Sequence, residues 1–178
     1  MGISKSRRLS GGDLSLAFVA IAFPVHVWAI ISILDFLPAW LLRLSTWELA
    51  GVIGYSLVEA LLESGILWAV LVALGLALPR KWLADKFVPL SSALAWLLAA
   101  WAVLVQFIFN RILQWGPVQL VPGLVLVVFS FGLVYWLVHR FGRVESQIRK
   151  IAQGLVILTY FYLVFDLLGL VVVILRNL

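Results

Sequence analysis

The sequence predicts an all-α membrane protein built as a bundle of five transmembrane helices. Of its 178 residues, 65% are hydrophobic and only 12% are charged, whereas soluble domains are about 45–50% apolar and about 25% charged. Five separate stretches are long and apolar enough for a helix of about 20 residues to cross the hydrocarbon core. None of them alternates strictly, as the strands of a membrane β-barrel do. This composition excludes a soluble enzyme, a disordered chain and a coiled coil.

The predicted spans follow one another through short connections and form a single transmembrane domain over residues 1–178. Turn residues mark three of the connections, at Pro38, Pro79 and Gly116-Pro117, and a polar run from His139 to Lys150 marks the fourth. The first span exceeds the 7–15 apolar residues of a signal-peptide h-region, so we interpret it as a transmembrane helix. The predicted spans are 14–36, 50–78, 87–113, 118–138 and 151–175.

The basic residues predict a cytoplasmic N-terminus and an external C-terminus, in the prokaryotic plasma membrane. This orientation leaves only Arg43, Arg111 and Arg176 outside and so follows the positive-inside rule. Membrane topology then explains the net charge of +5, and we expect no nucleic acid partner. The segment Arg140–Lys150 is either a solvated loop or a contact for anionic lipid headgroups. The cytoplasmic cations would be Lys5, Arg7, Arg8, Arg80, Lys81, Lys86, Arg140, Arg143, Arg149 and Lys150.

Small residues at a spacing of four predict how the helices pack. Membrane helices associate through close packing of small side chains and through polar contacts. We therefore expect the second and third spans to form a tight antiparallel hairpin. Deeply placed tryptophans, such as Trp28 and Trp96, are expected to pack inside the bundle, with an aromatic ligand cage as the alternative. The small residues of the two spans are Gly65, Ala69, Ala73 and Ala77, and Ser91, Ala95 and Ala99.

Ionisable and amide side chains inside the predicted spans are the candidate functional residues. Glu59 and Glu63 share one face of the second span, and His26, Gln106 and Asp166 lie at similar depth in three others. An acid at mid-membrane costs on the order of 3 kcal/mol on the insertion scale, so such residues are functional candidates by default. Histidine with carboxyl groups suggests a proton relay, and two carboxylates suggest a cation site. The alternative is that these groups only hydrogen-bond between helices.

The sequence favours a small membrane protein that binds or moves protons, a cation or a small solute through this polar cluster. The alternative is a non-catalytic subunit or assembly factor of a larger membrane complex, and a homo-oligomer is compatible with either. We expect no enzymatic activity, because HExxH, GxSxG and Walker motifs are all absent; an intramembrane enzyme that acts on lipid is the third interpretation. With no Cys and no Lys inside a predicted span, no cofactor is expected, and the identity of any metal is left open.

Overall fold

The fold is all-helical, as the sequence predicts. The computed structural model describes residues 10–79, 81–112 and 117–178. Helix makes up 92% of the structure, and no strand occurs in these ranges. Five of the helices, all except α5, are long and apolar enough to span a membrane. The α-helices are α1 (Gly11–Leu41), α2 (Thr46–Ala77), α3 (Phe87–Ile112), α4 (Pro117–Arg140), α5 (Gly142–Gly154) and α6 (Val156–Asn177).

Local chemistry sets the ends of the first two helices. Ser10 caps α1 by accepting a hydrogen bond from the backbone N–H of Asp13. Ser45 and Glu48 form a reciprocal capping box at the start of α2, which satisfies two backbone donors that the first turn leaves free. Helix α2 ends at Ala77, and the next residue, Leu78, is extended. Leu78 precedes Pro79, and the residue before a proline is biased away from helical angles.

Two predicted boundaries are wrong. The first helix does not end before Pro38 but continues through it to Leu41. The polar run is not a loop, because residues 142–154 form α5 and the last spanning helix begins at Val156. The sequence contains the reason for the second difference. Val144, Ile148 and Ala152 recur at a spacing of four and pack against the bundle, while most polar residues of α5 are exposed.

Helix α1 lies at the centre of the bundle and packs against α2, α3, α5 and α6. Helix α6 lies against α2 and α1, whereas α4 lies on the far side, against α3 and α5. Helix α5 therefore crosses one end of the bundle to connect α4 with α6. Arg149 of α5 pairs with Asp13 at 3.2 Å, and Lys86 pairs with Glu145 at 2.8 Å. We call this the basic end of the bundle.

The predicted packing of the small-residue ladders is wrong. Ala69, Ala73 and Ala77 are exposed, and a Cβ added to Gly65 would meet nothing within 4 Å. Of the third-span residues, Ser91 and Ala95 are buried and Ala99 is half-buried. Helix α2 packs mainly against α1 and α6 and not, as predicted, against α3. The buried small residues of α2 are instead Gly51, Gly54, Ala60, Ser64 and Gly75; Gly54 contacts α6, and Gly75 contacts Phe87 and Leu83.

Helices α2 and α6 approach closely where two glycines face each other. A Cβ added to Gly169 would lie 3.0 Å from the carbonyl oxygen of Gly54, and one added to Gly54 would lie 3.1 Å from the carbonyl oxygen of Gly169. Both contacts are with backbone atoms, so only glycine lets the two helices come this close.

The two described chain ends lie at opposite ends of the bundle, as five spans require. Asp13 contacts α5 at the basic end, and Asn177 donates a hydrogen bond to the Tyr55 hydroxyl at the other end, at 2.6 Å. Which end faces the cytoplasm stays a prediction. Several residues on which the orientation or the boundaries depend lie outside the described residues, namely Lys5, Arg7, Arg8, Arg80 and Gly116, as does the side chain of Arg111.

Candidate functional site

A buried pair of ionisable side chains joins α1 to α6. Nε2 of His26 lies 3.0 Å and 3.2 Å from the two carboxyl oxygens of Asp166. Only 1% of His26 and 2% of Asp166 are exposed. The imidazole also stacks on the ring of Tyr162, with 4.9 Å between ring centroids. Sequence reasoning singled out both members of the pair but not Tyr162, which lies one helical turn before Asp166.

The hydrogen bonds of His26 determine how many protons the pair holds. Nδ1 lies 2.9 Å from the carbonyl oxygen of Ala22, and because a carbonyl only accepts, Nδ1 must carry a hydrogen. The contact between Nε2 and Asp166 then requires one more proton, held by either the imidazole or the carboxyl group. In both arrangements the pair has no net charge. A neutral, hydrogen-bonded pair avoids the cost of burying an unpaired charge.

Pro24 leaves a backbone carbonyl of α1 without its helical donor, and a tryptophan of α3 supplies one. The sequence did not reveal this contact. Proline has no N–H to donate to the carbonyl of Ala20, and the indole Nε1 of Trp96 donates to that oxygen at 2.8 Å. Trp68 of α2 likewise donates to the carbonyl of Leu14 at 3.0 Å. These tryptophans pack inside the bundle, as expected, and they also fix α2 and α3 against α1.

The predicted acidic pair lies on a different side of α1, in an open cavity. Glu59 and Glu63 stand one turn apart on α2, so their Cα atoms are about 6 Å apart along the axis. Both side chains are exposed, and they flank the midpoint of Thr46–Ala77. Together with residues of α1 they line a cavity of about 330 Å³, which we call the carboxyl cavity. It is lined by Val25, Trp28, Ala29, Ser32, Ile33, Phe36, Trp40, Ser56, Glu59, Ala60 and Glu63.

A second cavity, of about 440 Å³, lies next to the carboxyl cavity, among α1, α2 and α3. Glu63 and Gln106 are its polar lining residues, and the other side chains around it are apolar or tryptophan, so we call it the apolar cavity. The two cavities share Val25, Trp28 and Glu63. Glu63 therefore contributes to the lining of both cavities.

The structure divides the predicted polar cluster into two parts. Glu59, Glu63 and Gln106 line the two adjacent cavities, whereas His26 and Asp166 line neither of them. In the described part of the chain, no hydrogen bond or ion pair involves either glutamate. Nor do the described residues include a group of three or more His, Cys, Asp or Glu side chains placed to hold a metal ion.

Aromatic side chains on α1 complete the carboxyl cavity. Phe36 and Trp40 stack with their ring centroids 5.8 Å apart, and both line the cavity together with Trp28. The predicted first span, 14–36, ends before Pro38 and so leaves Trp40 outside the helix. The continuation of the helix to Leu41 brings Trp40 onto the same side of α1 as Trp28 and Phe36.

Comparison of the chain with protein-family models, with curated proteins and with solved structures found no match. A functional assignment for this chain therefore depends on the chemistry of the two cavities and of the buried pair.

Proposed function

We propose that the protein binds a proton or another cation at Glu59 and Glu63 and moves it across the membrane. The observation that carries this proposal is the placement of both carboxyl groups in an open cavity at the middle of α2, without a partner among the described side chains. An acid at the centre of a membrane helix costs on the order of 3 kcal/mol on the insertion scale. A bound proton or cation offsets that cost, because it removes or balances the charge.

The buried pair has a structural role that is separate from cation binding at the glutamates. His26 and Asp166 satisfy each other and are closed off from both cavities. Their contact satisfies both ionisable groups at this buried position and joins α1 to α6 as an interhelical hydrogen bond. The transport proposal therefore depends on the two glutamates, whereas the buried pair holds α1 against α6.

The test is cation flux in proteoliposomes that contain the purified protein. Glu59→Gln/Glu63→Gln keeps the shape and hydrogen-bonding groups of both side chains but cannot lose a proton or hold a charge. We expect this double variant to fold normally and to lose at least about nine-tenths of the proton or cation flux. Asp35→Asn is the matched control, because Asp35 is an exposed acid of α1 that lines neither cavity. Its flux should equal that of the wild type.

Two outcomes would contradict the proposal. Wild-type flux in the double glutamine variant would show that the carboxyl groups do not carry the cation. An absence of any flux through the wild-type protein would instead favour the alternative expected from the sequence, a non-catalytic subunit or assembly factor of a larger membrane complex. Membership of such a complex, or of a homo-oligomer, stays a prediction.

We also propose that the basic end contacts anionic lipid headgroups of a prokaryotic plasma membrane. Arg149 and Lys86 are engaged in ion pairs, whereas Arg140, Arg143 and Lys150 are exposed. Each cation near an anionic surface contributes about 1 kcal/mol. Arg143→Gln/Lys150→Gln should therefore retain less phosphatidylglycerol than the wild type in native mass spectrometry. Equal retention would contradict the contact.

A further inference from the structure

The two adjacent cavities differ in chemistry, and that difference carries information about the ligand. The carboxyl cavity contains two acids, the hydroxyl groups of Ser32 and Ser56, and three aromatic rings. The apolar cavity is lined mainly by aliphatic side chains of α2 and α3, such as Leu67 and Leu98. Each volume, about 330 Å³ and about 440 Å³, falls within the range of small-molecule sites.

Aromatic rings and carboxyl groups together recognise a particular kind of positive charge. The faces of Trp, Phe and Tyr attract cations, and aromatic cages are used to recognise quaternary ammonium groups. Trp28, Phe36 and Trp40 line the same cavity as Glu59 and Glu63. A weakly hydrated organic cation gains from both kinds of contact. A strongly hydrated inorganic ion would lose its water shell against the rings without replacing it.

The apolar cavity adds a second requirement. A ligand whose charge lies beside Glu63 can extend past Val25 and Trp28 into a space lined by apolar side chains of α2 and α3. Burial of an apolar group there is favourable in proportion to its area. A small inorganic cation would leave this cavity unused, and a neutral lipid chain would leave the acids without a positive partner.

We propose that the protein binds an amphipathic organic cation, with its charged group between the two glutamates and the aromatic rings and its apolar part in the apolar cavity. This inference rests on the proposed function, because it names the class of cation that Glu59 and Glu63 take. The geometry that carries it is the adjacency of the two cavities, which share Glu63, Val25 and Trp28 in their linings.

The probe is tetraphenylphosphonium, a permanently charged cation with an apolar exterior, and its neutral counterpart is triphenylphosphine oxide. Binding is measured by equilibrium dialysis of the full-length protein in detergent. We expect saturable binding of the cation and at least about tenfold weaker binding of the neutral compound. Glu63→Gln should weaken cation binding about tenfold or more, which is the scale of one lost charge-assisted contact, and Asp35→Asn should leave it unchanged.

A pair of neighbouring alanines on α3 tests the apolar part. Ala99 lines the apolar cavity, whereas Ala100 is exposed and does not line it. Ala99→Phe should fill the cavity and weaken binding, and Ala100→Phe should not. Equal binding by these two variants would overturn the placement of the apolar part.

The outcomes separate this inference from the proposed function. If Glu63→Gln binds tetraphenylphosphonium as tightly as the wild type, the cation only partitions into apolar surface and the inference is wrong. If the glutamates are required for proton flux but the probe neither binds nor inhibits that flux, the inference is wrong and the proposed function stands. If the glutamates affect neither flux nor binding, both are wrong.

Discussion

The close approach of α2 and α6 at Gly54 and Gly169 leads to a quantitative prediction about stability. An alanine at Gly169 would place its Cβ 3.0 Å from the carbonyl oxygen and 3.3 Å from the Cα of Gly54, whereas ordinary van der Waals contact begins at 3.4 Å. Because both neighbours are backbone atoms, α2 and α6 must separate by a few tenths of an ångström. Overpacking of this kind typically costs about 1–3 kcal/mol.

Gly65 provides the matched control on α2. A Cβ added there meets nothing within 4 Å, so Gly65→Ala should only gain helix propensity, about 1 kcal/mol. Since Gly169→Ala gains the same propensity, the difference between the two variants isolates the steric cost. We therefore expect Gly169→Ala to be about 1–3 kcal/mol less stable than Gly65→Ala.

The measurement is unfolding by sodium dodecyl sulfate in mixed micelles, followed by tryptophan fluorescence, for which the chain has nine Trp. Equal free energies of unfolding for the two variants would refute the close approach of α2 and α6. If Gly65→Ala were instead the less stable variant, the face of α2 that carries the predicted small-residue ladder would be the packed one.

Three further predictions follow from the same contacts. Asp166→Asn should have a free energy of unfolding within about 1 kcal/mol of the wild type, because the amide can donate to Nε2 of His26. Asp166→Ala should cost about 1–3 kcal/mol, because it leaves that buried nitrogen unpaired. Equal melting temperatures of the two variants would contradict the hydrogen bond between His26 and Asp166. Trp96→Phe should lose about 1 kcal/mol, because a carbonyl of α1 loses its donor, and an unchanged melting temperature would contradict this. In intact cells, an impermeant thiol reagent should label Asn177→Cys but not Arg143→Cys, and the reverse pattern would overturn the predicted orientation.

The sequence was sufficient to predict the fold class and the approximate positions of the spans. Hydrophobic stretches of the required length locate membrane helices whatever their neighbours are, and the five spanning helices are all present. Their ends were harder to predict. Proline often marks the end of a helix, but α1 continues through Pro38 to Leu41. The helix α5 was hidden because a short polar run with an apolar residue every fourth position resembles a loop in composition.

The face of each helix that packs could not be read from spacing alone. Helix α2 carries small residues at packed positions, such as Gly54 and Ser64, and at positions that no neighbouring helix packs closely, such as Gly65 and Ala73. Only the positions of α1 and α6 decide which face is buried. The same ambiguity affected the candidate site. Depth alone grouped Asp166 with Glu63, but the structure places these two residues on different sides of α1.

The most direct test of cation binding at Glu59 and Glu63 is carboxyl modification by dicyclohexylcarbodiimide, a lipophilic reagent for protonated carboxyl groups, read by peptide mass spectrometry. The protein in detergent should be modified within the peptide that contains Glu59 and Glu63, whose side chains are exposed to the carboxyl cavity. Asp166, which is 2% exposed, should remain unmodified. Tetraphenylphosphonium should slow the modification of the glutamates by occupying the same cavity. Modification of Asp166 in place of the glutamates, or a rate at Glu59 and Glu63 that no cation changes, would contradict the assignment of this cavity as a cation site.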